Sequence, residues 1–204
     1  MSTRLRALGA VVAMVLLTGG CAAGTHPGAA AVVGGTEISI NQVDKTSRAV
    51  SAALGNDYTS KFALSDLVTN VLAAQIQQEK SIPVSAAETA AAAKSAVGGD
   101  EATYQKFQTD SVSKDFLNAV ATSVMVTVKL GGGTVQNLQD QAVLQKGTLA
   151  MRDASKSIDV TVAPRFGQWT DGQINSTISG SLSKESDQTK AKREATATPE
   201  PGQG

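Results

Sequence analysis

The feature that most constrains this chain is a strand without a neighbour. Residues 157–170 read SIDVTVAPRFGQWT, with Ile158, Val160 and Val162 alternating onto one face. The residues before it have helical spacing, and those after it have the composition of a tail. A single strand cannot satisfy its own backbone hydrogen bonds. Its partner must lie elsewhere, so the fold has to bring a distant segment back to this one.

The pattern upstream is mostly helical. AVVGGTEIS, from Ala31, places two short apolar runs on either side of Gly34-Gly35, the signature of a tight hairpin. A helix follows with Ser39 as N-cap, Gln42 three residues later, and Ile38 and Val43 spaced as a hydrophobic staple. Val43, Ser47, Val50 and Leu54 form its inner face and Gly55 ends it. From Thr59 to Lys80, Leu64, Leu67, Val68, Val71, Leu72 and Ile76 recur at the spacing of one helix face. Pro83 stops that helix, and Ser85 with Glu88 opens a third, alanine-rich one that runs to Ala96. A short helix is expected over 100–110 and a longer one over 113–130, although the second half of the latter is β-branched. Gly131–Gly133 reads as a flexible break. A last helix over 134–156 would turn Val135, Leu138, Ala142 and Leu149 inward and be weakened by Gly147 by about 1 kcal/mol. The fold class is mainly α, a bundle of five to six helices closed by a β-hairpin that pairs with a C-terminal strand.

The first residues bear on the compartment. Arg4 and Arg6 precede ALGAVVAMVLL, an apolar run shorter than the roughly 20 residues of a membrane span. This is the layout of a secretory signal over 1–20. LLTGGC resembles a bacterial lipobox, with Thr18 a less usual residue, and implies lipidation of Cys21. Cys21 is the only cysteine, so it has no disulfide partner within the chain. Residues 21–30, with Pro27 and the only histidine, His26, read as a tether in which that histidine is solvent-exposed. Without residues 1–20 the chain carries 16 basic and 18 acidic side chains. That balance gives no reason to expect nucleic acid as a partner. Attachment to the extracytoplasmic face of the cell membrane is expected through lipid on Cys21. Residues 171–204 are expected to be disordered.

The order of these motifs resembles the N-terminal chaperone module of the SurA and PrsA family of exported foldases, in the lipoprotein form common in actinobacteria. AVVGGTEISINQVD is similar to its opening V-V-N-G-x-x-I-T-x-x-D-V, with Gly34 for asparagine. QQEKSIPVSAAET is similar to G-I-x-V-S-x-x-E, with Ser81 for glycine. VTVAPRFGQW is similar to V-x-V-N-P-R-Y-G-x-W, with Ala163 for asparagine and Phe166 for tyrosine. The resemblance covers residues 31–170. It implies that the opening hairpin and the closing strand pair with each other. Many relatives carry a parvulin-type isomerase domain between the helices and the closing strand. Here GGGTVQ occupies that place and no histidine follows His26, so the resemblance is to the chaperone module without the isomerase.

The residues themselves offer no catalytic constellation. One cysteine and one histidine cannot build the usual zinc sites, and GGG lacks the lysine of a phosphate loop. Asp57 with Asp66, or Asp110 with Asp115, read either as paired carboxylates or as surface acids near helix N-termini, and the second carries more weight. The one unusual cluster is Arg165, Phe166 and Trp169. It reads either as a patch that grips client peptide or as rings capping the helical core with Arg165 paired to an acid; the second carries more weight. Leu64, Leu67, Val71, Phe116, Val120, Val124, Met125 and Met151 read either as a groove for unfolded chains or as core. The expected function is to bind unfolded exported polypeptides, with no catalysis and no cofactor. An envelope adaptor with one specific partner is the alternative, and a peptidyl-prolyl isomerase a more distant one.

Overall fold

The computed structural model describes residues 26–175. Residues 1–25, including the expected signal segment and Cys21, and residues 176–204 lie outside the described residues. Among the described residues the fold is mainly α, six helices closed by a small antiparallel sheet.

The orphan strand has its partner. β1 (Ala29–Val33) pairs on one side with β2 (Thr36–Ser39) and on the other with β3 (Val160–Val162), both antiparallel. The sheet order is β2-β1-β3, with Val32 opposite Thr161. The β1–β2 turn needs positive φ at both central positions, and Gly34 (52°) and Gly35 (84°) supply it. Gln75 reaches across from the second helix and donates from Nε2 to the Val33 carbonyl at 2.8 Å, which fixes the hairpin to the bundle. The tether expected over 21–30 is therefore too long. Ala29 and Ala30 already belong to β1 and are buried, because the central strand needs residues there to pair with Ser39 and to accept from Ala163 N.

α1 (Ile40–Leu54) starts on Ser39, whose Oγ accepts from Gln42 N at 3.1 Å, and ends on Gly55 at φ 71°. Ile38 and Val43, the expected staple, are both buried. The inner face is Val43, Thr46, Val50 and Ala53, while Ser47 and Leu54 are half-buried. α2 (Ser60–Glu79) buries Leu64, Leu67, Val68, Leu72 and Ile76. Beyond it Ser81 adopts φ 51°, a left-handed conformation that favours glycine, which is the residue of the resembled motif. α3 (Ala86–Ala96) has the full capping box: Ser85 Oγ accepts from Glu88 N, and Glu88 accepts from Ser85 N at 2.8 Å. α4 (Glu101–Thr109) follows on Asp100.

α5 (Ser111–Leu130) is the axis of the bundle and packs against every other helix. Its β-branched second half is helical because Met125, Val126 and Val128 are fully buried there. Tertiary packing outweighs the local preference for strand.

The last helix departs from expectation. A 3₁₀ turn over Val135–Asn137 comes first, and α6 (Gln141–Ser155) begins afresh on Asp140. Ala142 and Leu149 are exposed rather than inward, since α6 presents Gly147 to α5 instead. A methyl group on Gly147 would lie 2.0 Å from the Thr127 carbonyl oxygen, and one on Gly131 would lie 2.2 Å from that of Val143. The glycine-rich segment is thus a packed crossing, not a flexible break: Gly131 is buried, and Gly133 is hemmed by Val143 and Val128.

The ordered part also runs past 170. β4 (Gln168–Thr170) pairs with β5 (Gln173–Asn175), with Asp171 at φ 52° and Gly172 at 81° in the turn. Residues 171–175 therefore correct the expected start of the tail. Asp-Gly suits this turn because both central residues need positive φ.

Candidate functional site

The closing cluster forms the corner between the two small sheets. After β3, Ala163 N donates to Ala30 O at 2.8 Å, and Pro164–Phe166 make a 3₁₀ turn whose Phe166 N donates back to Ala163 O. Pro164 suits the first position of such a turn, where its missing N–H is not needed. Gly167, buried at φ 116°, redirects the chain into β4. Phe166 and Trp169 are half-buried and pack on the core, Trp169 opposite Ile174 across the β4–β5 pair. Both rings thus contact the core cluster. Arg165 departs from the capping reading. Among the described residues it makes no ion pair; its guanidinium lies 4.6 Å from the centre of the Phe166 ring.

The residues considered for an apolar groove are largely core. Leu64, Leu67, Phe116 and Met125 are buried, and Val71, Val120, Val124 and Met151 are half-buried. Among the described residues only two large apolar side chains are well exposed, Phe62 (59%) and Leu149 (60%).

Phe62 belongs to an aromatic group at the α1–α2 corner. The Tyr58 ring lies 6.2 Å from Phe62 and 5.8 Å, edge-on, from Phe116. Its backbone is fixed from α1, with Ser47 Oγ donating to Tyr58 O at 2.6 Å and Tyr58 N donating to Ser51 Oγ at 2.9 Å. The Tyr58 hydroxyl donates to Asp66. Asp66 is therefore neither paired with Asp57 nor a freely solvated acid. Burial pushes its carboxyl above the ordinary range, against the opposing effect of the tyrosine bond. Burial likewise raises the Tyr58 hydroxyl, and the bond to Asp66 adds to the rise. Asp110 is a helix-terminal acid as expected: its Oδ1 accepts from Ser113 N at 3.0 Å and caps α5.

A surface concavity of about 470 Å³ lies between α1, α4 and the start of α5. Ala49, Ala52 and Ala53 form its floor. Lys45 and Arg48, one turn apart on α1, stand on one wall, and Lys106 of α4 on the other. Ser113 on this wall and Phe116 beneath the aromatic group are one helical turn apart on α5. The cleft thus joins cationic side chains to a small-residue floor. Sequence reasoning missed it. The alanines of α1 were visible, but the opposite wall comes from a segment some 55 residues later, and no local pattern pairs the two.

No group of histidine, cysteine and acidic side chains among the described residues has the disposition of a metal site. No described helix is long and apolar enough to cross a membrane. In comparisons with known proteins, no family model, no curated protein and no solved structure matches the chain.

Proposed function

We propose that this chain is a lipid-anchored, extracytoplasmic binding module of the chaperone type, which holds unfolded exported polypeptides without catalysing a reaction on them and without a cofactor. The observation that carries this reading is the α1–α4–α5 cleft of about 470 Å³, lined in part by alanines of α1. Its size falls within the roughly 300–1,000 Å³ of sites that enclose small ligands or a few side chains. The pairing of β1 with β3 supports the resemblance to the SurA and PrsA module, in which the opening hairpin and closing strand meet. The lipobox-like LLTGGC supports the anchor.

A second reading, an adaptor for one envelope partner, is favoured by the closed core. Leu64, Phe116 and Met125 are inside the bundle, so the binding surface is one cleft and its margin rather than a broad groove. Photocrosslinking in cells separates the two. With the crosslinker at Ala52 or Phe62, many unrelated exported proteins should be captured. A single dominant protein would replace the chaperone reading with the adaptor, and no polypeptide at either position would remove both.

A further inference from the structure

We propose that the α1–α4–α5 cleft selects acidic segments of its polypeptide. A carboxylate would sit between Lys45, Arg48 and Lys106 while its apolar neighbours lie on Ala49 and Ala52. The proposal rests on the polypeptide-binding reading above and adds a substrate class to it.

The argument begins with unused charge. Among the described residues the ion-paired cations are Lys94, Lys129 and Lys156, and none of them lines the cleft. Lys45, Arg48 and Lys106 make no ion pair there, although Asp100, off the lining, lies near enough to Lys106 to feel its charge. The one acid on the lining, Asp110, is occupied as the cap of α5 through Ser113 N. The cleft therefore carries two net positive charges. The described residues as a whole carry 14 acidic against 12 basic side chains. A local field opposite in sign to that of the whole molecule attracts and orients an anion.

The shape narrows the anion. Cations on two facing walls can both reach a carboxylate inserted between them, and such bonds are stronger than neutral ones. The floor is made of alanine, so no large side chain fills the space. It is also short and open, and offers no deep apolar channel to an acyl chain. A small apolar side chain beside a glutamate or aspartate fits this combination better than a lipid does.

The test uses the full chain in neutral detergent and two labelled extended peptides that differ only in glutamate against glutamine. Fluorescence anisotropy should give about tenfold tighter binding of the glutamate peptide, equivalent to about 1.4 kcal/mol. Raising salt to about 0.5 M should shrink that gap through screening. In a Lys45→Gln/Arg48→Gln variant the preference should collapse to within about twofold. Both side chains are exposed, and an unchanged melting temperature checks that the fold survives. Equal affinity of the two peptides for the wild type overturns the proposal, as does a preference that survives in the variant. Either result leaves the polypeptide-binding reading to the crosslinking experiment. Displacement of the glutamate peptide by phosphatidylglycerol vesicles assigns the cleft to a lipid surface and overturns it. So does capture of residues 176–204 of the same chain by a crosslinker at Ala52 without peptide.

Discussion

Gly147 is the residue on which the α5–α6 crossing turns. Helix propensity alone makes it a defect that alanine would repair by about 1 kcal/mol. The structure reverses the sign. The added methyl group would press on the Thr127 carbonyl oxygen, a backbone atom that cannot swing aside. Overpacking of this kind costs about 1–3 kcal/mol, so Gly147→Ala should destabilise by about 1–2 kcal/mol in urea unfolding. A stabilised variant would mean that α6 does not seat as described. Glu88 makes a second prediction, about pH. Its bond to Lys129, at 2.8 Å, and those from Ser85 lower its pKa to about 2. The folded state thus binds fewer protons than the unfolded one between the ordinary carboxylate range and pH 2. The contribution is fully present above about pH 5 and fades as pH falls towards 2. Unfolding curves of the wild type and of Glu88→Gln should differ at neutral pH and converge in acid; a gap that is constant with pH would dismiss the carboxylate's role. The Ser85–Glu88 box was legible in the sequence because both partners lie within one turn. Lys129 and Thr127 were not, because proximity across the bundle leaves no local pattern.

Among the elements, β1 depends most on its neighbours. It is the central strand of the sheet and buried along most of its length. Ending the chain after Ser157 would leave one edge of Ala31–Val33 unpaired. Exposed apolar edges template association, so this truncation should lower the melting temperature and produce oligomers in sedimentation. A monomer of unchanged stability would show that β3 is dispensable. The sequence announced β3 through the need of a lone strand for a partner. It announced β5 as well, through Asp171-Gly172, but the polar composition of the tail outweighed that turn signal. The break before α6 was legible in the same way. Asp140 is a good N-cap and accepts from Ala142 N at 3.0 Å and Val143 N at 3.2 Å. Reading residues 134–156 as one helix overlooked it. The helical state of 124–130 was harder to read, because β-branched residues give a local preference that only burial in α5 overrides.

At the scale of the molecule, six helices closed by a hairpin and a returning strand followed from periodicity, caps and one unpaired strand. The cleft did not, because it is assembled from α1, α4 and the start of α5, and each segment alone looks like a solvated helix face or a turn. Membrane attachment belongs at this scale too. Cys21→Ser should move the protein from the membrane to the soluble fraction and remove the lipid mass from the chain. If the variant stays with membranes and keeps that mass, the anchor lies elsewhere.

The shared end of β1 and β3 has a mechanical consequence. Seven residues separate Cys21 from Ala29, a stretch of eight Cα–Cα steps that reaches at most about 29 Å. A domain of this size is roughly 40 Å across. If the proposed lipid is on Cys21, the corner that holds Arg165 and Phe166 would be the end of the domain nearest the attachment point. α1 leaves the sheet at that same end, and its cleft residues continue to Ala53, roughly 20 Å along the helix from Ile40. Under the proposed anchoring the cleft would therefore extend away from the tethered end of the domain, where a chain passing alongside could reach it.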